Sequence, residues 1–157
     1  MKRRILAAVI GLGLLSIAGS AMAQGLATIA VSAQIPAKCA VDSVVGQTAD
    51  FGDVITTPAT PKTVTTLFRC TKGTAITITD DGGLHGGTPG ISGNVNAGGV
   101  DNINYTYAYT VPNGGVGAGW GGAQQLSMAI VLTLNQTQAD AATVGNYTDT
   151  LGFTITP

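Results

Sequence analysis

From position 126 to 134 the chain reads Leu-Ser-Met-Ala-Ile-Val-Leu-Thr-Leu, with Leu126, Met128, Ile130, Leu132 and Leu134 at every second residue. A period of two puts all five side chains on one face of an extended strand, whereas a helix would scatter them around its axis. The same period recurs elsewhere. Ala27, Ile29, Val31, Ala33 and Ile35 share one face of a first strand, opposite Thr28, Ala30, Ser32 and Gln34, and Pro36 ends it. Ile103, Tyr105, Tyr107 and Tyr109 line one side of another, and Tyr147, Leu151, Phe153 and Ile155 define the last. Cys39 and Val41 mark a short second strand. A strand from Val64 carries Cys70 at its end, Lys72-Gly73 turns the chain, and Thr74 to Thr79 returns as the second arm of a hairpin, with Ile76 and Ile78 on one face.

The connections are read from turn chemistry. Asp50-Phe51-Gly52-Asp53 is an apolar anchor between turn residues. Residues 81 to 100, rich in Gly and Asn, form a long loop. Pro112 to Gly122 forms a second, with Trp120 near its end, and Gln136 to Val144 is either a helical turn or a loop. Six or seven strands at these intervals predict an all-β chain, an immunoglobulin-like β-sandwich.

Residues 1–23 have the layout of a secretory signal peptide. Lys2, Arg3 and Arg4 precede an apolar stretch from Ile5 to Ile17, and Ala21-Met22-Ala23 offers a cleavage site, so a mature chain starts at Gln24. The apolar run is too short for a membrane anchor, which needs about 20 residues, and nothing after it reads as a span. Of 157 residues 134 then remain, enough for one domain. They carry Lys38, Lys62, Arg69 and Lys72 against eight Asp and no Glu, a net charge of −4. That balance leaves no basic patch for nucleic acid and no polybasic stretch for anionic lipid. Export and an even cysteine count make a Cys39–Cys70 disulfide the default, worth about 3–4 kcal/mol in the chain-entropy model. A metal or redox pair is the rival, but the spacing is far from C-x-x-C and the chain has a single His.

Catalytic material is scarce. His85 lies in a Gly-rich loop and reads as a surface residue without a role. Gly90-Ile91-Ser92-Gly93 lacks the spacing of a nucleophile elbow. Asp80-Asp81 before Gly82-Gly83 is turn chemistry, with a weak calcium site as the alternative. The Gly-rich stretch 115–122 lacks the Gly-Lys-Ser/Thr of a phosphate loop. Three Asn-x-Thr triplets, at Asn104, Asn135 and Asn146, fit the glycan acceptor pattern but arise readily by chance in such a chain. The tyrosine face and Trp120 suit either a sugar-binding platform or core, and core is the commoner use of such a face. No cofactor and no metal site is expected, and the chain does not read as an enzyme. On pattern alone, the segment 27–35 is an ordinary first strand.

Several stretches stand together in this order: the alternating start, Cys39-Ala40-Val41, Asp50-Phe51-Gly52, Phe68-Arg69-Cys70-Thr71-Lys72-Gly73-Thr74, Asn104-Tyr105, and Gly145-Asn146-Tyr147-Thr148-Asp149-Thr150-Leu151. By these residues the chain resembles the spore coat protein U domain family, which includes subunits of archaic chaperone–usher pili. The resemblance covers essentially the whole mature chain. The central region is richer in Gly than the family pattern, and a Tyr-Gly-Arg type turn before the final strands is missing.

The resemblance implies a sandwich short of one strand, filled first by a periplasmic chaperone and then by the N-terminal strand of the next subunit. Residues 24–36 would be that donor strand, inserting Ala27, Ile29, Val31, Ala33 and Ile35, and residues 37–157 the domain. The partners implied are identical or related pilin subunits, a periplasmic chaperone and an outer-membrane usher. The chain would pass through the periplasm to a surface fimbrium or be secreted, and would support adhesion or biofilm formation. The competing expectation is a secreted carbohydrate- or surface-binding β-sandwich module using the Gly-rich loops and Trp120.

Overall fold

The alternation that dominates the sequence is expressed as strands. A computed structural model describes residues 29–42, 47–99 and 101–157. The chain divides into two units, Met1–Gln34 and Ile35–Pro157. Of the first, residues 29–34 are described, and they carry no helix or strand. The signal-peptide reading of residues 1–23 and the position of Ala27 lie outside the described residues.

In the second unit the described residues form β1 (Cys39–Val41), β2 (Lys62–Cys70), β3 (Thr77–Asp80), β4 (Ser92–Asn96), β5 (Asn102–Tyr109), β6 (Leu126–Leu134), the short helix α1 (Gln136–Ala141) and β7 (Phe153–Thr156). Asn135 caps α1 with its side-chain oxygen, which accepts from the Gln138 N–H at 3.2 Å. All strand pairs are antiparallel. One sheet runs β1-β2-β6-β5-β4 and the second pairs β3 with β7. An immunoglobulin constant domain places A-B-E-D on one sheet and C-F-G on the other. Here β1, β2, β6 and the β4–β5 hairpin take the A, B, E and D places, while β3 and β7 take C and F. The chain is an all-β, immunoglobulin-like sandwich.

The core sits where the period-two faces meet. β6 is the clearest case, for its residues alternate buried and exposed along the whole strand. Phe68 of β2 and Met128 of β6 are fully buried, and Ile103, Tyr105 and Tyr107 of β5 join them. From the other sheet, Ile78, Phe153 and Ile155 pack against this cluster half-buried. Phe153 meets Tyr107 and Tyr109 edge-on, with ring centroids 6.2 and 5.2 Å apart, so the two sheets are in direct aromatic contact. Phe51 also packs against the core, in a turn where Asp50 accepts from the Gly52 N–H and Asp53 from those of Ile55 and Thr56.

Three expectations are corrected. The expected hairpin of β2 with Thr74–Thr79 does not exist. Lys72-Gly73 does turn the chain, but β3 crosses to the second sheet and pairs with β7, from Thr77↔Thr156 to Asp80↔Phe153. The turn signal is local, whereas the choice of sheet is tertiary. The expected loop 81–100 contains β4, whose Ser92–Asn96 pair with Asn102–Thr106. It holds one apolar side chain, Val95, and Gly93 brings its backbone over the Tyr105 ring. A Cβ there would lie 2.2 Å from the phenol oxygen, so only glycine fits. The last strand is also shorter than the pattern from Tyr147 suggested, for Thr148 makes only an isolated bridge to Asn96.

Candidate functional site

Two features concern the expected strand exchange. The first is the N-terminal segment. Ile29, Val31 and Ile35 are 86%, 90% and 82% exposed, Ala33 is exposed too, and residues 29–38 carry no strand. Single exposed apolar residues are ordinary, but three β-branched ones at a spacing suited to one strand face form a ribbon that water solvates poorly. The second is the edge of β7. In a two-stranded sheet β7 pairs with β3 alone among the described residues, and no described strand occupies the place of G. Phe153 and Ile155, on its inward face, stay half-buried while the facing residues of β6 are buried.

Cys39 and Cys70 form a disulfide that joins β1 to β2 at directly opposed positions. The Thr71 N–H donates to the Lys38 carbonyl at 2.8 Å, so the adjacent Cys39↔Cys70 pair is the close, non-hydrogen-bonded kind, with Cα atoms 4.1 Å apart.

The titratable residues singled out earlier are held in structural networks. Asp80 at the end of β3 accepts from the Tyr107 hydroxyl, from the Tyr109 hydroxyl at 3.2 Å, and from the Gly90 and Gly82 N–H groups at 2.9 and 3.2 Å. Asp81 accepts from the Gly152 N–H and then the Gly83 N–H, which hold its carboxyl below the usual range. Both carboxylates are thus occupied by protein donors. Among the described residues no cluster of His, Cys, Asp or Glu suited to a metal ion is found. Burial, then the Asp80 hydrogen bond, pushes the Tyr107 phenol up to about 12. Burial and the Asp149 carboxylate raise Tyr105, and burial and Asp80 raise Tyr109.

His85 has a partner, contrary to the expectation of a residue without a role. Its Nδ1 lies 3.1 Å from Asp149 Oδ1, and the Asp149 side chain is only 3% exposed. Asp149 also accepts from the Leu84 N–H at 2.9 Å and the Tyr105 hydroxyl at 2.6 Å. One buried carboxylate therefore pins the 83–85 loop to β5. Ser92 sits in β4 opposite Thr106, on a strand and not at a nucleophile elbow. Tyr105 and Tyr107 face the core, while Trp120 donates its indole N–H to Thr71 at 3.1 Å, so the aromatics do not form one platform.

The family model of the Spore Coat Protein U domain matches residues 25–154. The chain belongs to the Spore Coat Protein U domain family. That family is structural and not enzymatic. The match takes in the apolar ribbon, both cysteines and the Asp80 and Asp149 networks, so these are parts of a Spore Coat Protein U domain. No curated protein matches the chain. Among solved structures, a chain of the CsuC–CsuE chaperone–tip adhesion subunit pre-assembly complex, from archaic chaperone-usher Csu pili of Acinetobacter baumannii, is similar with a TM-score of 0.50. The identity is 16%, over 78% of this chain and 40% of that one, so the chain spans less than half the length of its neighbour, and the likeness is one of fold. Among the described residues no helix is long and apolar enough to cross a membrane.

Sequence reasoning read Asp80 only as a turn residue and gave Asp149 and Thr71 no role, so it missed the three long-range ties that these residues make in this Spore Coat Protein U domain. Asp80 and Asp149 reach tyrosines 27 to 44 positions away, and Thr71 reaches back to Pro36 and forward to Trp120. No spacing rule links such positions. The available signal was indirect: buried Tyr hydroxyls need partners, and Asp residues near turns are candidates.

Proposed function

We propose that the chain is a structural subunit of an extracellular pilus or surface fibre, assembled by donor-strand exchange through a chaperone–usher system. Residues 1–23 are its export signal, residues 24–36 its donor strand, and residues 37–157 an immunoglobulin-like domain completed by a neighbour. The observation that carries this reading is the exposure of Ile29, Val31 and Ile35 on a ribbon without a strand of its own, in a chain whose β7 has one strand partner among the described residues.

The energetics suit that use. Burying each of the three larger side chains gains about 1.5–3 kcal/mol, and ordering each backbone residue costs about 1–2 kcal/mol. Ladder hydrogen bonds and the sealing of half-buried Phe153 and Ile155 supply the remainder. Donation from one copy to the next is a heterologous contact that does not close, so repetition yields a fibre. An unpaired edge beside apolar side chains is also an aggregation hazard, which a periplasmic chaperone strand would cover before assembly. An outer-membrane usher would then order the exchange, and the fibre would serve adhesion or biofilm formation at the cell surface. The assembled partners of this chain are identical or related subunits.

Size-exclusion of the mature chain with and without residues 24–36 tests the proposal. Strand-exchanged multimers are expected with the segment and monomers without it. A monomer in both cases, binding a glycan through Trp120, would replace the fibre with a secreted binding module.

A further inference from the structure

Thr71 follows the last residue of β2 and is buried, 9% exposed. A threonine hydroxyl has one proton and two acceptor sites, and all three are engaged here. The hydroxyl donates to the Pro36 carbonyl at 2.9 Å, with the Lys38 carbonyl at 3.3 Å as a longer alternative. It accepts from the Lys38 N–H and from the Trp120 indole N–H, each at 3.1 Å. One small side chain thus joins the end of β2, the strip that leads into β1, and the loop after β5.

The backbone delivers Trp120 to this point. Gly119 N–H donates to the Cys70 carbonyl at 2.9 Å, Gly73 N–H to the Gly117 carbonyl at 2.9 Å, and Gly117 N–H to the Thr74 carbonyl at 2.8 Å. The approach is so close that a Cβ on Gly117 would stand 2.2 Å from the Thr71 carbonyl oxygen. Trp120 is 43% exposed, yet its N–H points inward at the hydroxyl. The residue after Lys38 is Cys39, bonded to Cys70 beside Thr71.

We propose that the Thr71 hydroxyl and the Trp120 indole form a clamp on residues 36–38, and that in the assembled fibre this clamp is the joint through which one subunit holds the next. The proposal rests on the donor-strand reading, in which tension along the fibre enters the domain at these residues. Without the clamp, the first fixed point would be the Lys38 carbonyl, which accepts from the Thr71 N–H, leaving Pro36 and Ala37, about 7 Å of extended chain, free to swing. The clamp removes that slack and sets a stiffer link between neighbours.

The test uses the mature chain with three variants: Thr71→Val, which keeps the shape and loses every hydroxyl bond; Thr71→Ser, which keeps them; and Trp120→Phe, which keeps a ring and loses the N–H. In the soluble protein, Thr71→Val should speed amide exchange at Lys38 about tenfold and shift the emission of Trp120, the chain's single tryptophan. Thr71→Ser should do neither. Fibres of Thr71→Val should form but bend more, with a shorter persistence length in electron micrographs, and Trp120→Phe should fall between it and the wild type. Unchanged Lys38 exchange in Thr71→Val would overturn the clamp. Faster exchange with unchanged fibre stiffness would overturn its role as the joint. Wild-type chains that form no strand-exchanged fibre would remove the donor reading and the joint with it, whatever the exchange rates show. If valine at 71 prevents folding, Thr71→Ala, which loses the same hydroxyl bonds in a smaller side chain, is read for Lys38 exchange and fibre bending by the same criteria.

Discussion

β6 and the segment 29–35 carry the same pattern and meet opposite fates. In β6, Leu126, Met128, Ile130, Leu132 and Leu134 are buried at every second position between β2 and β5. In the segment, Ile29, Val31 and Ile35 recur on the same period and are more than four-fifths exposed. Alternation reports that one face of a strand needs apolar company, but it does not report which molecule supplies that company. The five apolar side chains of β6 are long and unbranched at Cβ except Ile130, and fill a core layer with Phe68. The N-terminal face is broken by Ala27 and Ala33, too small to anchor a central strand.

The sharpest way to break this comparison is to make one substitution in both regions. Ile130→Asp puts a charge in the core beside Phe68 and Met128 and should leave the chain unfolded, since a buried unpaired charge costs more than a domain's whole margin. Val31→Asp should leave the unfolding free energy of the monomer unchanged within about 0.5 kcal/mol, while abolishing multimers on size-exclusion. Equal loss of stability in both variants would mean that the ribbon belongs to its own domain.

A smaller effect is expected at the boundary between the regions. Reducing Cys39–Cys70 should cost about 3–4 kcal/mol in denaturant titrations, because the bond ties the short β1 to β2. Proteolysis within residues 29–35 should be as fast before reduction as after it.

The smallest effects belong to the polar ties of the sandwich. Tyr105→Phe removes one donor from the buried Asp149 carboxylate and should cost about 1–3 kcal/mol, read in the same titration. The raised phenols fix a sign for pH. A phenol held neutral in the fold contributes stability that is present below its unfolded value near 10 and is lost as pH rises. The phenols therefore make the unfolding free energy fall as pH rises above about 10 and on through about 12, the folded value of Tyr107. Tyr105→Phe should shallow that fall, and Val31→Asp should leave it unchanged.

These contrasts show how far the residues could be read in advance. β5 and β6 were legible because their alternation is long and their apolar side chains large. β4 was not. Ser92-Gly93-Asn94-Val95-Asn96 has the composition of a loop, and its strand state comes from pairing with β5 and from the room Gly93 leaves over Tyr105. The β2–β3 hairpin was misread because Lys72-Gly73 announces a turn without saying which sheet the chain enters next. The disulfide followed from the compartment and the cysteine count. Asp80, Asp149 and Thr71 stayed hidden because their partners lie tens of residues away, and only the packed sheets bring them together.

The central claim is that the ribbon at residues 29–35 completes a neighbour's sandwich. Its most direct test mixes a mature chain disabled as a donor, carrying Ile29→Asp and Val31→Asp, with a peptide of residues 24–36. The account predicts saturable binding, a raised melting temperature, and new amide protection along Phe153–Thr156, where β7 has β3 as its strand partner. No binding, or binding that leaves the β7 amides exchanging as before, would contradict it.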